Sequence, residues 1–434
     1  MKALKNTGKS LTSIMVLLLF TASFTKAAPP KNENVSRQDT LTYITYTGKI
    51  IDAKTKKPVI FASIYKVGTS LGTVSNSDGE FIFKVPVNKN NGNIGVSYIG
   101  YKELQLPFSK LKTDKDNELV LEPSPIPIKE VIVRTSDPVE LLRMARIKIP
   151  ENYSDDPSML TGFYRESIKQ NHNYVAVAEA VLDIYKAPYK NDFDNDRVKI
   201  YKGRKSMDVK KMDTVLFKLQ GGPKTSLLLD VVKNPGELLS SDYLPYYNYK
   251  LDGIIDVDNR ETYVISFDQK DNVDYPLYAG KIYLDAANLA ISGLEFSISE
   301  KEIDMAANEL VRKRPANMKV EVEGANYLVN YREINGKWYL NHVRSELRFS
   351  CKWPKKLFRS NYTTMLEMAV TDRSTEKVDK FKASESAKLS DVFADEVNYF
   401  QDPNFWGKYN TIKPDESIES AISKLSRKLK RNLN

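Results

Sequence analysis

Four short stretches decide the fold of the first part of this 434-residue chain: TGKIID at 47–52, KPVIFA at 57–62, SDGEF at 77–81 and SYIGY at 97–101. Apolar and β-branched runs alternate there with Gly, Pro and Asp, which is typical of short strands joined by tight turns. Asp78-Gly79 predicts such a turn, because glycine tolerates a positive φ. Phe81 and Phe83 lie on one face of their strand, so we expect both to be buried.

Working outward from these stretches, residues 41–134 read as a small antiparallel β-sandwich of the seven-strand type. In their order, the four stretches resemble the carboxypeptidase-regulatory-like domain, a transthyretin-like β-sandwich. The resemblance implies a non-catalytic module that accompanies another domain. Asn76 and Ser77 depart from the family pattern, in which another acid often precedes the Asp-Gly pair, and we expect this to affect only the turn.

The N-terminus predicts export. Residues 1–27 combine a basic start with a mainly apolar stretch at 11–24, and Thr25 and Ala27 occupy the −3 and −1 positions of a cleavage site. This is the pattern of a secretory signal peptide, since the apolar stretch is too short for an ordinary spanning helix. The alternative is an uncleaved N-terminal anchor. Polar residues 28–40 read as a linker.

The net charge of +9 lies at the two ends of the chain. Residues 1–27 carry four Lys and 421–434 carry five cations, which leaves 56 cations against 56 acids in between. Nucleic-acid binding needs cations gathered on one face of a fold, so no nucleic-acid partner is expected. Residues 416–434 predict a basic amphipathic helix, whose candidate membrane contacts are Lys424, Arg427, Lys428, Lys430 and Arg431. The same helix would equally dock its apolar stripe on its own domain.

The supply of catalytic residues is poor, with two His and one Cys in the whole chain. Neither His172 nor His342 has the neighbouring Glu of a zinc carboxypeptidase, so we expect no metal, no cofactor and no catalytic residue. Residues 68–72 (GTSLG) match a nucleophile elbow around Ser70, but the motif requires a strand–turn–helix setting and a His partner. Cys351 is expected to be structural.

The rest of the chain predicts a mainly β protein with few helices. Asp137 and Pro138 predict the start of a connector helix over 135–150, as N-cap and first helical residue. Apolar and polar residues alternate in many places over 151–415. This pattern predicts a larger domain on a curved antiparallel sheet. Residues 277–299 resemble one hairpin of periplasmic lipoprotein-carrier-like half-barrels, which makes a half-barrel one candidate for this domain.

One tyrosine-rich segment, SDYLPYYNYK at 241–250, is a candidate ligand or partner contact through Tyr243, Tyr246, Tyr247 and Tyr249. Exposed tyrosines stack on sugars or contact a partner protein, whereas half-buried tyrosines pack on their own sheet. Both readings stay open from the sequence.

These patterns predict a non-enzymatic protein exported to the periplasm or outer membrane of a Gram-negative bacterium. It would act as a binding or accessory module for an envelope protein or lipid. The alternative is a carrier that holds a lipid or lipoprotein acyl chain in the curved sheet. A hydrolase ranks last, because only paired carboxylates remain for such chemistry and no pair stands out.

Overall fold

The computed structural model describes residues 18–19, 42–124, 137–190, 194–208, 218–219, 221–257, 260–310, 317–354, 357–399 and 405–433. Most of the predicted signal peptide and the linker lie outside these ranges. Leu18–Leu19 forms a two-residue ladder with Lys218–Leu219. None of the helices in the described ranges is long and apolar enough to cross a membrane.

The N-terminal domain is a sandwich of seven strands in two sheets, as predicted. The strands are β1 (Tyr43–Asp52), β2 (Ser63–Lys66), β3 (Gly72–Val74), β4 (Glu80–Pro86), β5 (Asn93–Ser97), β6 (Leu104–Pro107) and β7 (Asn117–Leu121). One sheet has the order β4-β1-β7 and the other β3-β2-β5-β6. Every pair is antiparallel except β1 with β7.

Every second side chain of β4 points into the sandwich core. Phe81 and Phe83 are both fully buried and pack in one cluster with Ile50 of the neighbouring β1 and Ile64 of β2 in the opposite sheet, which confirms the predicted shared face. Gly79 has a φ of +74°, as the Asp-Gly turn requires. This turn joins β3 of one sheet to β4, which pairs with β1 in the other sheet.

Gly48 lies where the parallel strands β1 and β7 approach most closely. A Cβ atom there would lie 2.1 Å from the Asn117 carbonyl oxygen and 2.8 Å from the Phe81 ring. We therefore expect Gly48→Ala to lower the free energy of unfolding of the sandwich by about 2–3 kcal/mol, because backbone cannot move aside as a side chain does. Urea unfolding checks this, with Thr47→Ala as the control; equal losses in both variants would contradict it.

A connector of two helices follows, α1 (Pro138–Ile147) and α2 (Ile149–Asn152). The Asp137 carboxylate accepts a hydrogen bond from the Val139 backbone N–H at 2.9 Å, and Pro138 is the first helical residue. Both observations match the predicted helix start.

The second domain is one sheet of eleven strands. They are β8 (Ser158–Gln170), β9 (Asn173–Lys186), β10 (Arg197–Met207), β11 (Tyr247–Val257), β12 (Arg260–Gln269), β13 (Tyr278–Asp285), β14 (Ile291–Ile298), β15 (Lys319–Ile334), β16 (Lys337–Lys352), β17 (Ser360–Ser374) and β18 (Asn398–Tyr399). The order is β11-β12-β13-β14-β15-β16-β17-β8-β9-β10-β18. All pairs are antiparallel except β10 with β18.

The remaining helices are short, apart from the last. The α-helices are α3 (Gly222–Leu228), α4 (Gly236–Leu239), α5 (Ala306–Leu310) and α6 (Glu416–Leu433). Single 3-10 turns lie at Val87–Lys89, Phe108–Lys110, Leu244–Tyr246, Glu300–Met305, Ala383–Glu385 and Phe393–Asp395.

The large sheet has two differently used faces. Its inner face carries the main core, in which Tyr164, Ala180 and Met368 pack together with Leu227 of α3 and Leu239 of α4. Its outer face bears the sandwich and the C-terminal residues. We call residues 405–415 the strap, because they lie between the sandwich and the outer face before α6 begins.

Candidate functional site

A ladder of alternating charges crosses the outer face of the large sheet. Five neighbouring strands place one charged residue each in register: Arg204, Glu179, Arg165, Glu367 and Arg344. Arg165 and Glu179 have at most 1% of their surface exposed, and they form an ion pair at 2.8 Å. Arg204 Nε lies 3.2 Å from the other oxygen of Glu179. Cross-strand ion pairs commonly lie on an exposed face of a sheet, whereas Arg165 is buried.

The ladder is stabilised by its own neighbours. Burial opposes charge on Glu367, but the hydrogen bond with His342 and the nearby Arg344 lower the pKa of this carboxyl to about 2. His342 Nε2 lies 3.0 Å from Glu367 Oε1, and its ring packs on Phe61 of the sandwich. The Arg344 guanidinium lies 4.6 Å from the centre of the same Phe61 ring. The ladder therefore forms part of the interface between the two domains.

The strap covers the ladder at its centre, Arg165, and at its Arg204 end, where the guanidinium lies 4.7 Å from the centre of the Trp406 ring. The Ile412 carbonyl accepts a hydrogen bond from Arg165 at 2.7 Å, and Trp406 packs edge-on against Phe163. Its opposite side binds the sandwich, where Asn410 exchanges two hydrogen bonds with the Lys84 backbone at 2.7 and 3.0 Å. One segment thus joins the two domains along its length.

The turn that carries the family pattern also binds this segment. Ser77 Oγ donates to Asp415 at 2.6 Å, and the Asp78 carboxylate accepts from the Glu416 backbone N–H at 3.0 Å. Asn76 donates to the Pro414 carbonyl at 3.2 Å. The expectation that Asn76 and Ser77 affect only the turn is therefore too narrow, because they also hold the start of α6.

The four candidate tyrosines do not form one surface. Tyr247 is buried and donates to the Glu237 carbonyl at 2.9 Å, while Tyr249 packs on Phe267. Tyr246 is 42% exposed and lies beside Tyr243, with ring centres 5.7 Å apart. Packing on the sheet accounts for two of the four, and only Tyr246 presents a largely open ring.

The candidate membrane helix is docked at its first half. Ile418 is buried against Val177 and Met365 of the outer face, and Leu425 is 3% exposed. Lys424 and Arg427 are exposed. The side chains of Lys428, Lys430 and Arg431 lie outside the described part, so membrane contact by this helix stays a prediction.

The residues weighed for catalysis, Ser70, Cys351 and His172, lie in three different settings. Ser70 Oγ donates to Asp372 at 2.7 Å across the domain interface. Burial raises the pKa of the Cys351 thiol to about 12, which keeps it from acting as a thiolate nucleophile. His172 is exposed at the β8–β9 turn. Among the residues that the structure describes, no cluster of three His, Cys, Asp or Glu fits a metal ion.

A buried polar cluster lies on the inner face and was not anticipated from the sequence. Lys186 Nζ lies 2.6 Å from Asp196 and 2.7 Å from Asp230, and Asp230 also accepts hydrogen bonds from Tyr189 and Tyr331, both at 2.8 Å. Burial favours the neutral amine, but the two carboxylates outweigh it and raise the pKa of Lys186. All five side chains are enclosed and mutually bonded, so the cluster holds loops on the core.

An open cleft of about 920 Å³ lies at one end of the large sheet. Its floor is the outer edge of β10 at residues 199–203. Other segments pair with β10 on either side of this stretch. The Ala387 N–H donates to the Val198 carbonyl at 2.8 Å, and Arg204 pairs in register with Asn398 of β18. Its other walls are formed by 221–223, 384–388, 396–398 and Phe405. The lining includes three cations and three acids: Lys199, Lys202, Lys388, Glu385, Asp391 and Glu396. No sequence pattern marks these segments as neighbours.

A known family model matches the N-terminal sandwich. Residues 46–133 match the CarboxypepD_reg-like domain. The resemblance seen in the sequence is thereby confirmed for this region. The regulatory-like domain accounts for about a fifth of the chain, and the search of curated proteins gave no match.

Two solved structures are similar to the chain. A DUF1329 family protein from Desulfovibrio piger has 13% identity and a TM-score of 0.25, over 57% of this chain and 98% of that one. A LolA superfamily protein from Nitrosomonas europaea has 14% identity and a TM-score of 0.20, over 57% and 96%. With TM-scores this low, neither similarity assigns the second domain a fold or a function.

Proposed function

We propose that this protein is a non-enzymatic binding or accessory protein of the cell envelope, and that its ligand occupies the cleft at the β10 edge. The cleft carries the proposal, since pockets of this volume are where proteins bind ligands. Exposed strand edges also accept an extended polypeptide as an additional strand. A lining with three charges of each sign suits a polypeptide segment better than an acyl chain.

The regulatory-like domain supports a non-catalytic role. It is bound to the second domain through the strap and through Phe61, and its Ser70 is engaged by Asp372. Export rests on the signal peptide predicted from residues 1–27.

The carrier alternative receives less support. It requires an open apolar cavity within the curved sheet. In the described ranges, the inner face is instead packed by its own strands and by Leu227, Val231, Leu239 and Leu244 of the covering segments. The large cleft lies elsewhere, at the sheet edge.

Photo-crosslinking in cells tests the proposal. We expect p-benzoylphenylalanine at Tyr201, which is 46% exposed and lines the cleft, to give a discrete crosslinked protein in the envelope fraction. The matched control is the same replacement at Tyr246, which is 42% exposed at the other end of the sheet.

The outcomes separate the candidate sites. A product at position 246 alone would move the binding site to the tyrosine segment. Absence of a crosslinked product at both positions would contradict a protein-binding role. Lipid that co-purifies with the chain in fixed proportion would favour the carrier.

A further inference from the structure

Two adjacent apolar side chains protrude at the turn between β16 and β17. Leu357 is 94% exposed and Phe358 is 82% exposed, well above the 68% of Ile147, the next large apolar residue in the described ranges. Folding alone gives no reason to leave this pair in water, because burying either side chain is worth roughly 1.5–3 kcal/mol. The turn joins strands β16 and β17, which are among the longest of the sheet.

The same turn is strongly basic. Its sequence, KWPKKLFR at 352–359, has four cations and no acid; Lys352 and Arg359 belong to the described residues, and Lys355 and Lys356 lie outside them. Lys352 pairs in register with Lys319 at the start of β15, so a further cation lies at this end of the sheet. Glu321 is the neighbouring acid, and its hydrogen bonds with Arg359 and Lys319 lower its pKa to about 2. The acid is thus already engaged, and Glu323 lies two residues further from the turn.

We propose that this turn is a membrane-binding tip, in which Leu357 and Phe358 enter the interface of an anionic phospholipid membrane. Aromatic and aliphatic side chains partition into the boundary between headgroups and acyl chains, and flanking cations are attracted to anionic lipid. Trp353 lies at the same turn but packs partly against the main core, so the two exposed anchors are Leu357 and Phe358. A basic turn with two exposed apolar residues matches an anionic membrane in both charge and polarity.

This tip is distinct from helix α6, the segment that the sequence offered for membrane contact. Ile418 and Leu425 of that helix are buried, so the described part of its apolar stripe is occupied within the protein. Met365, which contacts the helix, lies five residues along β17 from Ser360, about 17 Å from the turn at the usual rise of a strand. The helix presents cations, whereas the turn presents cations together with apolar anchors.

Vesicle co-sedimentation of the full chain tests the proposal, with vesicles of phosphatidylcholine alone or with phosphatidylglycerol added. We expect binding to the anionic vesicles that weakens with salt, and a loss of about tenfold or more in partition coefficient for Leu357→Ser with Phe358→Ser. The control is Ile147→Ser, which removes an exposed apolar residue elsewhere and is expected to leave binding unchanged. A variant lacking 417–434 separates any contribution of α6.

A fluorescence measurement reports the tip directly, whatever other segment binds the vesicle. The chain has three tryptophans of its own, so the wild type is measured in parallel. We expect Phe358→Trp to add a blue-shifted emission component on anionic vesicles and to increase the quenching by brominated lipid. The proposal is overturned if the wild type binds neither vesicle, if the double variant binds as well as the wild type, or if the new tryptophan stays in water on vesicle-bound protein. Protein crosslinks at this turn without vesicle binding would likewise replace the membrane by a protein partner.

Discussion

Glu179→Gln is expected to lower the free energy of unfolding of the large domain by about 3–5 kcal/mol. The substitution keeps the shape of the side chain but removes the charge that faces Arg165 and Arg204. Arg165 has 1% of its surface exposed, so its charge would remain in the interface without this carboxylate. Breaking one partner of a buried pair is costly for this reason. Urea unfolding followed by circular dichroism measures the change.

The control for this prediction is Glu346→Gln on β16. Glu346 also pairs with arginines, Arg344 and Arg348, but its side chain is 30% exposed, so we expect a loss below about 1 kcal/mol. Equal losses in the two variants would contradict the buried-ladder explanation. Replacing both partners, Arg165→Met with Glu179→Leu, is expected to recover part of the stability, because no buried charge is then left unmatched in that pair.

Glu166→Gln is expected to stabilise the protein at pH 8 and to have little effect at pH 4.5. Glu166 lies on the inner face, where burial raises its pKa to about 8 despite the hydrogen bond from Tyr164 at 3.0 Å. Its pKa in the unfolded chain is about 4.3. Between these values the folded state holds a proton that the unfolded state releases, so the free energy of unfolding falls as the pH rises.

The size of the change in unfolding free energy follows from the difference between the folded and unfolded pKa of Glu166. Between pH 4.5 and 8 the wild type loses roughly 4 kcal/mol through this group, and the glutamine variant does not. The measurement is urea unfolding of both proteins across this range, with Glu122→Gln at the surface as the control. A difference between wild type and variant that does not change with pH would contradict the assignment of Glu166.

Local patterns were enough for several elements. The Asp-Gly turn, the buried pair Phe81 and Phe83, and the helix start at Asp137 and Pro138 all depend on residues close together in sequence. Each of these signals arises from backbone dihedral preference or from side-chain alternation, which neighbouring residues determine between them.

Other features depend on which strands become neighbours. The ladder joins Arg165 and Glu367, about two hundred residues apart, because β17 returns to pair with β8. The same pairing buries Arg165 and Glu367, although charged residues on strands commonly face solvent. The cleft likewise needs β10 to reach the end of the sheet beside 384–388 and 396–398. None of these contacts has a local sequence signal.

The sequence by itself determined the seven-strand sandwich, the β-rich character of the second domain and the scarcity of His and Cys that argues against familiar catalysis. Only the tertiary structure decided that the strap and a buried charge ladder join the two domains, and that Leu357 and Phe358 remain in solvent. The physical reason is the same in each case. Backbone preference and alternation act between near neighbours, whereas burial is a property of what the folded chain brings, or fails to bring, against a side chain.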